Sequence, residues 1–312
     1  VIELGITDGD FFDQSMDYLK ELDSKDENPF YAFIITLSSH NPFTMPEKYK
    51  EIKLLEEHKD TILGDYLNSI HYVDKCIGEF MKNLKEEGLY DNTVFALYGD
   101  HFAIPNSSPD DVKLMGEFLG EKYNFDHIMN VPLIINVPNT NIGYTNHKVG
   151  SLIDFAPTIL NILGYENQKG VFFGRDLENF DGYNNVKPQT IMRKGSFIDE
   201  DVLFSMASTE IFESSYVEDR NTRERLDLSE YRPIYEDAIK DINLSNFILK
   251  NNLLKPLLED GKAFSVLEIP PLSLHSNIVK LKENTILELD KVLLSQSDFK
   301  DKKASISSKL EW

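Results

Sequence analysis

Hydrophobic positions in the first third of the chain follow two different periods. Residues 11–22 place apolar side chains at helical spacing, whereas residues 31–38, YAFIITLS, form a short apolar run typical of a buried strand. Residues 62–84 repeat apolar side chains every three or four positions, which predicts a long helix with one buried face. Gly88 lies where a cap would end that helix, and residues 93–99, TVFALYG, predict a second strand.

The order strand, long helix, strand is typical of a parallel sheet whose strands are joined by a crossover helix. The later pattern predicts a strand over 131–138, a helix over 151–164, two strands with a tight turn within 190–207, and helices from about 229 onward, with a Pro-rich break before a last helix. The sequence therefore predicts an α/β fold. Its sheet is expected to be mostly parallel and flanked by helices, and a small C-terminal α+β subdomain and a helical tail are expected to follow.

Composition narrows the classes of function. The 312 residues are 41% hydrophobic, as in folded globular proteins, and 32 basic residues against 53 acidic ones give a net charge of −21. Such a surface repels phosphate backbones, so we expect no nucleic-acid partner. Cys76 is the single cysteine, which excludes an internal disulfide and a multi-cysteine zinc site. The opening VIELGITDGD has neither Met nor a leader pattern, and we expect that the chain begins inside a longer protein.

An acid and an imidazole follow the second predicted strand. Asp100 and His101 are side by side at its carboxyl end, the edge where open α/β sheets bind ligands. One carboxylate and one imidazole suit Mn²⁺, Zn²⁺ or Mg²⁺, and Gly99 would let the chain turn so that both side chains reach one ion. The alternative is structural: Asp100 caps the next element, and His101 is an ordinary half-buried histidine.

His40 follows the first predicted strand and precedes Asn41-Pro42. It could donate a hydrogen bond to an anionic substrate or act as a general acid, and its alternative is again a structural histidine. Ser38 and Ser39 are interpreted as loop-forming hydroxyls because no G-x-S-x-G nucleophile motif surrounds them. The functional hypothesis requires His40 to share one pocket with Asp100 and His101.

Two further acid–imidazole pairs receive structural interpretations. His71 and Asp74 are three apart on the long predicted helix, but no HEXXH motif or third ligand accompanies them. Asp126 and His127 precede the predicted strand 131–138, which is the wrong end for a site at the carboxyl edge of a sheet.

Several segments, taken in order, resemble one family. They are ITLSSHNPF, YLNSIHYVDKCIGEFMKNLKEEGLYDNTVFALYGDH, VPLIINVP, GSLIDFAPTILNILG, FGRDL and RKGSFI. Together they resemble the lipoteichoic acid synthase branch of the sulfatase and alkaline phosphatase superfamily. The resemblance runs through residues 1–205 approximately. We therefore expect residues 1–215 to be the C-terminal portion of a sulfatase-like catalytic domain, and residues 216–312 to be a mainly helical extension.

The resemblance implies a phosphoglycerol transferase at the outer face of a membrane. Such enzymes move glycerol phosphate from phosphatidylglycerol to a teichoic acid polymer on a glycolipid, through a threonine nucleophile and a divalent metal, usually Mn²⁺. By matching motifs, Asp100 and His101 stand at the positions of two metal ligands, and His40 stands where a histidine contacts the phosphoryl or leaving group. The family's nucleophilic threonine, a metal-binding glutamate and membrane helices have no matching motif here, and we expect them upstream of Val1.

Without that nucleophile, we expect this chain to be inactive by itself. Two alternatives stay open. The chain could belong to another superfamily enzyme, such as a sulfatase, a phosphoethanolamine transferase or a phosphodiesterase. It could also be a non-catalytic relative that binds teichoic acid or a partner enzyme.

Overall fold

The fold was determined as a computed structural model, which describes residues 5–165, 171–254, 264–265, 278–282, 285–288 and 306–307. The chain divides into two compact units. Unit 1 comprises residues 1–143, and unit 2 comprises residues 144–312. The predicted sheet end and both histidine-bearing loops belong to unit 1.

Unit 1 contains four α-helices and one strand pair in its described residues. These are α1 (Asp8–Lys25), α2 (Ile62–Glu86), β1 (Phe95–Tyr98), α3 (Pro109–Leu119), α4 (Phe125–Met129) and β2 (Leu133–Asn136). The predictions of α1, α2 and both strands β1 and β2 are confirmed.

Helices α1 and α2 begin and end where their sequence caps them. The Thr7 side chain accepts from the amide of Asp10 at the start of α1, and the Thr61 side chain accepts from the amide of Gly64 at the start of α2. Gly88 follows α2 with a φ of 76°, a left-handed conformation that glycine adopts without steric cost. The buried faces of the two helices form one hydrophobic core: Phe12, Met16, Leu19, Met45, Tyr72, Cys76, Phe80, Leu84 and Leu89.

The predicted strand over 31–38 is not formed. Residues 29–37 have no strand assignment, and β1 pairs instead with β2, in antiparallel register from Phe95 opposite Asn136 to Tyr98 opposite Leu133. The parallel pairing expected between 31–38 and β1 is therefore wrong for the residues that the structure describes. One physical reason is a contact between residues distant in sequence: the amides of Leu37 and Ser38 donate to the carboxylate of Asp8 and are not available to a strand ladder.

The same segment still keeps the alternation of a strand. Tyr31, Phe33 and Ile35 are exposed by 80%, 59% and 63%, whereas Ile34 packs against the core of α1 and α2. The apolar run is thus partly buried at Ile34 and exposed at Tyr31, Phe33 and Ile35.

Unit 2 combines two helices with short strands. Its described elements are α5 (Leu152–Ile162), β3 (Val171–Phe172), β4 (Phe197–Ile198), β5 (Val202–Ser205), β6 (Tyr216–Asp219), α6 (Arg232–Lys250), β7 (Phe264–Ser265), β8 (Ile278–Lys282), β9 (Thr285–Glu288) and β10 (Ile306–Ser307). Strand β3 pairs in parallel with β7, and the orders β4-β5-β6 and β10-β9-β8 are antiparallel.

The sheet β4-β5-β6 confirms the predicted antiparallel turn within 190–207. The predicted domain boundary falls between residues 215 and 216. Because β6 pairs with β5, this sheet contains strands from both sides of the boundary, and the boundary stays a prediction. The sheet and α6 enclose a second core: Phe197, Val202, Phe204, Met206, Phe212, Val217 and Ala238.

Helix α5 confirms the prediction for 151–164. The Asp154 carboxylate accepts from the amide of Ser151 at 2.7 Å, and Gly164 follows the helix with a φ of 72°. The last predicted helix of the tail is wrong where the structure describes that region, because β8 and β9 occupy 278–282 and 285–288. Among the described residues, no helix combines the length and apolarity that crossing a bilayer requires.

Candidate active site

His40 lies in a loop that is fixed on both sides. Its amide donates to the carbonyl of Leu37 at 3.0 Å, and its carbonyl accepts from the amide of Phe43 at 2.9 Å. Phe43 is 1% exposed and packs its ring against Tyr66 at 5.1 Å between centroids. The loop therefore holds an exposed imidazole on a backbone whose next large side chain is buried.

Asp8 secures the other side of this loop. One carboxylate oxygen, Oδ1, accepts from the amides of Leu37 and Ser38, both at 2.9 Å. The amide of Asp8 donates in return to Oγ of Ser38 at 3.0 Å. Asp8 and Ser38 are 1% and 2% exposed, so these hydrogen bonds are shielded from water. Hydrogen bonds to a charged group contribute about 1.5–3 kcal/mol each, so Asp8 restrains the loop substantially.

Asp100 and His101 follow β1 in a turn that passes close to β2. The amide of Gly99 donates to the carbonyl of Pro132 at 3.1 Å. A Cβ at Gly99 would lie 3.0 Å from Cβ of Val131, and Gly99 is not among the glycines with positive φ. Glycine is therefore needed here for close approach to Val131, just before β2, and its φ is not one that favours glycine.

A buried anchor also follows this second loop. Ile104 is 1% exposed, and its carbonyl accepts from the hydroxyl of Tyr123 at 2.6 Å. Burial, with a smaller contribution from Tyr66, raises the pKa of Tyr123 to about 12. The tyrosine thus stays neutral, and remains a donor to this carbonyl, well above pH 10.

The two loops bring His40 and His101 together. Their ring centroids are 5.9 Å apart and their planes stand at 87°, an edge-to-face contact. Asp100 is beside them, with Oδ1 at 3.7 Å from Nε2 of His101. The structure therefore gathers all three predicted residues at one place in unit 1, as the functional hypothesis requires.

Each ring is oriented by a neighbouring carbonyl. Nδ1 of His40 lies 2.7 Å from the carbonyl oxygen of Asn41, and Nδ1 of His101 lies 2.6 Å from that of Phe102. A carbonyl oxygen can only accept, so both rings carry their proton on Nδ1. In the neutral rings, Nε2 is then the nitrogen with a lone pair. A backbone carbonyl on the second nitrogen is the arrangement that orients histidine ligands of metals.

Asp100 and His101 fit a divalent metal as part of a ligand set. Two ligands of one tetrahedral ion with bonds of about 2.1 Å stand roughly 3.4 Å apart. The observed 3.7 Å between Oδ1 and Nε2 requires only a small side-chain adjustment. The side chains are 74% and 53% exposed, which leaves room for it. No group of three or more His, Cys, Asp or Glu side chains that could hold an ion is found among the described residues.

The pair Asp126–His127 lies in α4 and not at a strand. Nδ1 of His127 accepts from the amide of Asn124 at 3.2 Å, which caps the helix. His127 is therefore explained by the start of α4.

The family of the chain follows from comparison with known proteins. The family model described as Sulfatase matches residues 4–165, just over half of the 312 residues. The chain belongs to the sulfatase family. The match includes all three residues of the candidate site.

Within the sulfatase family, the chain is similar to lipoteichoic acid synthases. It is 34% identical to lipoteichoic acid synthase 1 of Bacillus subtilis, over 84% of this chain and 39% of that protein. It is 31% identical to lipoteichoic acid synthase of Staphylococcus aureus, over 82% of this chain and 37% of that protein. The resemblance read from the motifs is confirmed. The chain spans about two fifths of the length of these relatives.

Solved structures agree on the fold. The lipoteichoic acid synthase LtaP from Listeria monocytogenes aligns with a TM-score of 0.71 and 27% identity, over 80% of this chain and 61% of that one. A protein of the alkaline phosphatase superfamily from Vibrio parahaemolyticus aligns with a TM-score of 0.60 and 19% identity, over 81% of this chain and 56% of that one. The predicted α/β fold of the sulfatase and alkaline phosphatase type is confirmed.

Sequence reasoning missed Asp8. Its local pattern, Thr7 before the helix and Asp10 three residues later, is that of a helix N-terminus and indicates capping alone. The contact with Leu37 and Ser38 joins residues about thirty positions apart, which no local pattern encodes.

Proposed function

We propose that this chain forms part of a metal-dependent phosphoglycerol transferase of the lipoteichoic acid synthase type. The enzyme would move glycerol phosphate from phosphatidylglycerol to a growing lipoteichoic acid-type polymer on a glycolipid or teichoic acid acceptor. The observation that carries this proposal is the edge-to-face contact of His40 and His101, with Asp100 beside them, in a chain of the sulfatase family.

Asp100 and His101 are assigned as metal ligands. His101 would bind through Nε2, since its Nδ1–H is held by the carbonyl of Phe102, and Asp100 would bind through its carboxylate. Mn²⁺ is the ion that we propose, and Mg²⁺ and Zn²⁺ have compatible ligand chemistry. When bound, the cation supplies stabilisation of the negative charge that gathers on phosphodiester oxygens during displacement.

His40 is assigned to the phosphoryl group or the leaving group. When its ring is protonated, Nδ1–H stays on the carbonyl of Asn41, and Nε2–H is available to donate to a phosphoryl oxygen. Such a donor would be fixed by the loop before substrate arrives, which lowers the entropic cost of binding.

The remaining parts of the activity are assigned outside this chain. We propose that a threonine nucleophile comes from another segment, so the chain alone should release no diacylglycerol from phosphatidylglycerol. We also propose the outer face of the cell membrane as the place of action, because this is where the substrate headgroup and the polymer would meet.

Binding of glycerol phosphate to the Mn²⁺-loaded chain tests the assignment of His40. His40→Ala should weaken binding roughly tenfold, since a hydrogen bond from a charged group is lost. His147→Ala, which removes an exposed histidine in unit 2, is the matched control and should bind like the unaltered chain. Equal affinities of all three proteins would remove His40 from the site.

A further inference from the structure

Asp8 makes contacts that the start of a helix does not require. Capping of α1 is performed by Thr7, whose hydroxyl accepts from the amide of Asp10. The carboxylate of Asp8 is directed instead to Leu37 and Ser38, which lie three and two residues before His40. Among the described residues, Oδ1 of this almost fully buried carboxylate accepts only from the loop that carries the candidate phosphoryl contact, whereas Oδ2 is buried without a hydrogen-bond partner.

Asp8 and the loop donate hydrogen bonds to each other, which fixes both the position and the orientation of the loop. Two amides of the loop donate to Oδ1 of Asp8, and the amide of Asp8 donates to Oγ of Ser38. These three hydrogen bonds connect the first turn of α1 to residues 37–38. Helix α1 is itself packed on α2 through a continuous hydrophobic core, so the loop is attached to a rigid support.

The restraint extends to His40 through the backbone. The amide of His40 donates to the carbonyl of Leu37, the same residue whose amide is held by Asp8. A change in the backbone at Leu37 therefore moves the imidazole of His40 relative to His101, which belongs to a different loop.

We infer that Asp8, together with Ser38, is a positioning residue for the active site: it holds the 37–40 loop so that the His40 ring stays in edge-to-face contact with His101. This inference rests on the proposed function for its catalytic meaning. The part of the inference that concerns the position of the 37–40 loop does not depend on the proposed function.

Hydrogen exchange and ring-proton nuclear Overhauser effects on the full 312-residue chain test the inference. In the unaltered chain, the amides of Leu37 and Ser38 should be protected, and a cross-peak should connect the rings of His40 and His101. Asp8→Ala should speed exchange at both amides roughly 10- to 100-fold, the equivalent of losing hydrogen bonds to a charged acceptor, and should abolish the cross-peak.

Two variants separate positioning from general damage. Asp8→Asn keeps an acceptor oxygen and should restore most of the protection and the cross-peak. Asp10→Ala removes the exposed carboxylate that accepts from the Thr7 hydroxyl in the same helical turn, and should leave both signals unchanged. Should Asp8→Ala fail to fold, free exchange of the two amides in the unaltered chain would by itself overturn the inference.

A binding measurement distinguishes this inference from the proposed function. In Asp8→Ala, glycerol phosphate should bind the Mn²⁺-loaded chain roughly tenfold more weakly, while the affinity for Mn²⁺ itself stays unchanged. Loss of the cross-peak with unchanged binding of glycerol phosphate would contradict the role of His40 but support the positioning by Asp8. A cross-peak and protection that persist in Asp8→Ala would contradict the positioning.

Discussion

The two loops of the candidate site are held by different means. The His40 loop is secured by a buried carboxylate on one side and by a buried phenylalanine on the other. The Asp100–His101 turn is secured by the close packing of Gly99 against β2 and by the hydroxyl of Tyr123 on the carbonyl of Ile104.

This difference corresponds to the chemistry proposed for each loop. A hydrogen-bond donor to a phosphoryl group has to be oriented before substrate arrives, and the His40 loop has such preorganisation. Metal ligands are drawn into place by the ion that they bind. Accordingly, Asp100 and His101 keep exposed side chains on a well-placed backbone.

The largest effect is expected when the buried anchor of the His40 loop is removed. Phe43→Ala removes a side chain that is 1% exposed, and should lower the free energy of unfolding of unit 1 by about 3–5 kcal/mol. Urea unfolding followed by circular dichroism measures it. Phe33→Ala, at a phenylalanine that is 59% exposed, is the matched control and should change stability by less than about 0.5 kcal/mol. Similar losses in both variants would show that Phe43 does not anchor the loop.

A smaller effect is expected on the side of Asp100 and His101. Gly99→Ala places a Cβ 3.0 Å from Cβ of Val131, so β1 and β2 must separate slightly, at a cost of about 1–3 kcal/mol. Gly78→Ala is the control within α2, where a new Cβ meets open space. It should stabilise the helix by about 0.5–1 kcal/mol. If both substitutions had the same sign, close packing at Gly99 would not be what fixes the turn.

The pH dependence of stability tests the contribution of Tyr123, whose hydroxyl secures the second loop. The pKa of Tyr123 is raised from 10 to about 12 in the folded chain, so its contribution is complete below pH 10. It is lost as the pH rises from 10 to 12, because the unfolded chain releases this proton first. Two pKa units correspond to roughly 2.7 kcal/mol, of which about half should be lost by pH 11.

Urea unfolding at pH 9, 10 and 11 measures this dependence. Tyr123→Phe should be less stable than the unaltered chain at pH 9, because the hydrogen bond to Ile104 is lost. Its stability should also fall less steeply toward pH 11. Parallel curves for the two proteins would contradict the role of this hydroxyl.

Local patterns predicted α1, α2 and α5 correctly, for reasons that are visible in the structure. The apolar spacing over 62–84 describes a real buried face, and the capping residues Thr61 and Gly88 lie at the ends of α2. Local patterns also singled out His40 and His101, because each follows an apolar run that ends at a loop, but left the structural alternative open for both.

Long-range pairing could not be predicted in the same way. The run YAFIITLS has the composition of a strand, but its amides at Leu37 and Ser38 are bound by Asp8, far away in sequence. The antiparallel pairing of β1 with β2 also depends on partners that periodicity does not reveal.

Mn²⁺ titration by calorimetry tests the central claim most directly, namely that Asp100 and His101 supply metal ligands beside His40. The unaltered chain should bind Mn²⁺ weakly, since two protein ligands are only part of a full set. Asp100→Ala should bind at least roughly tenfold more weakly, and Asp13→Ala, at an exposed carboxylate of α1, should bind like the unaltered chain. Equal Mn²⁺ affinity of the unaltered chain and Asp100→Ala would contradict the account.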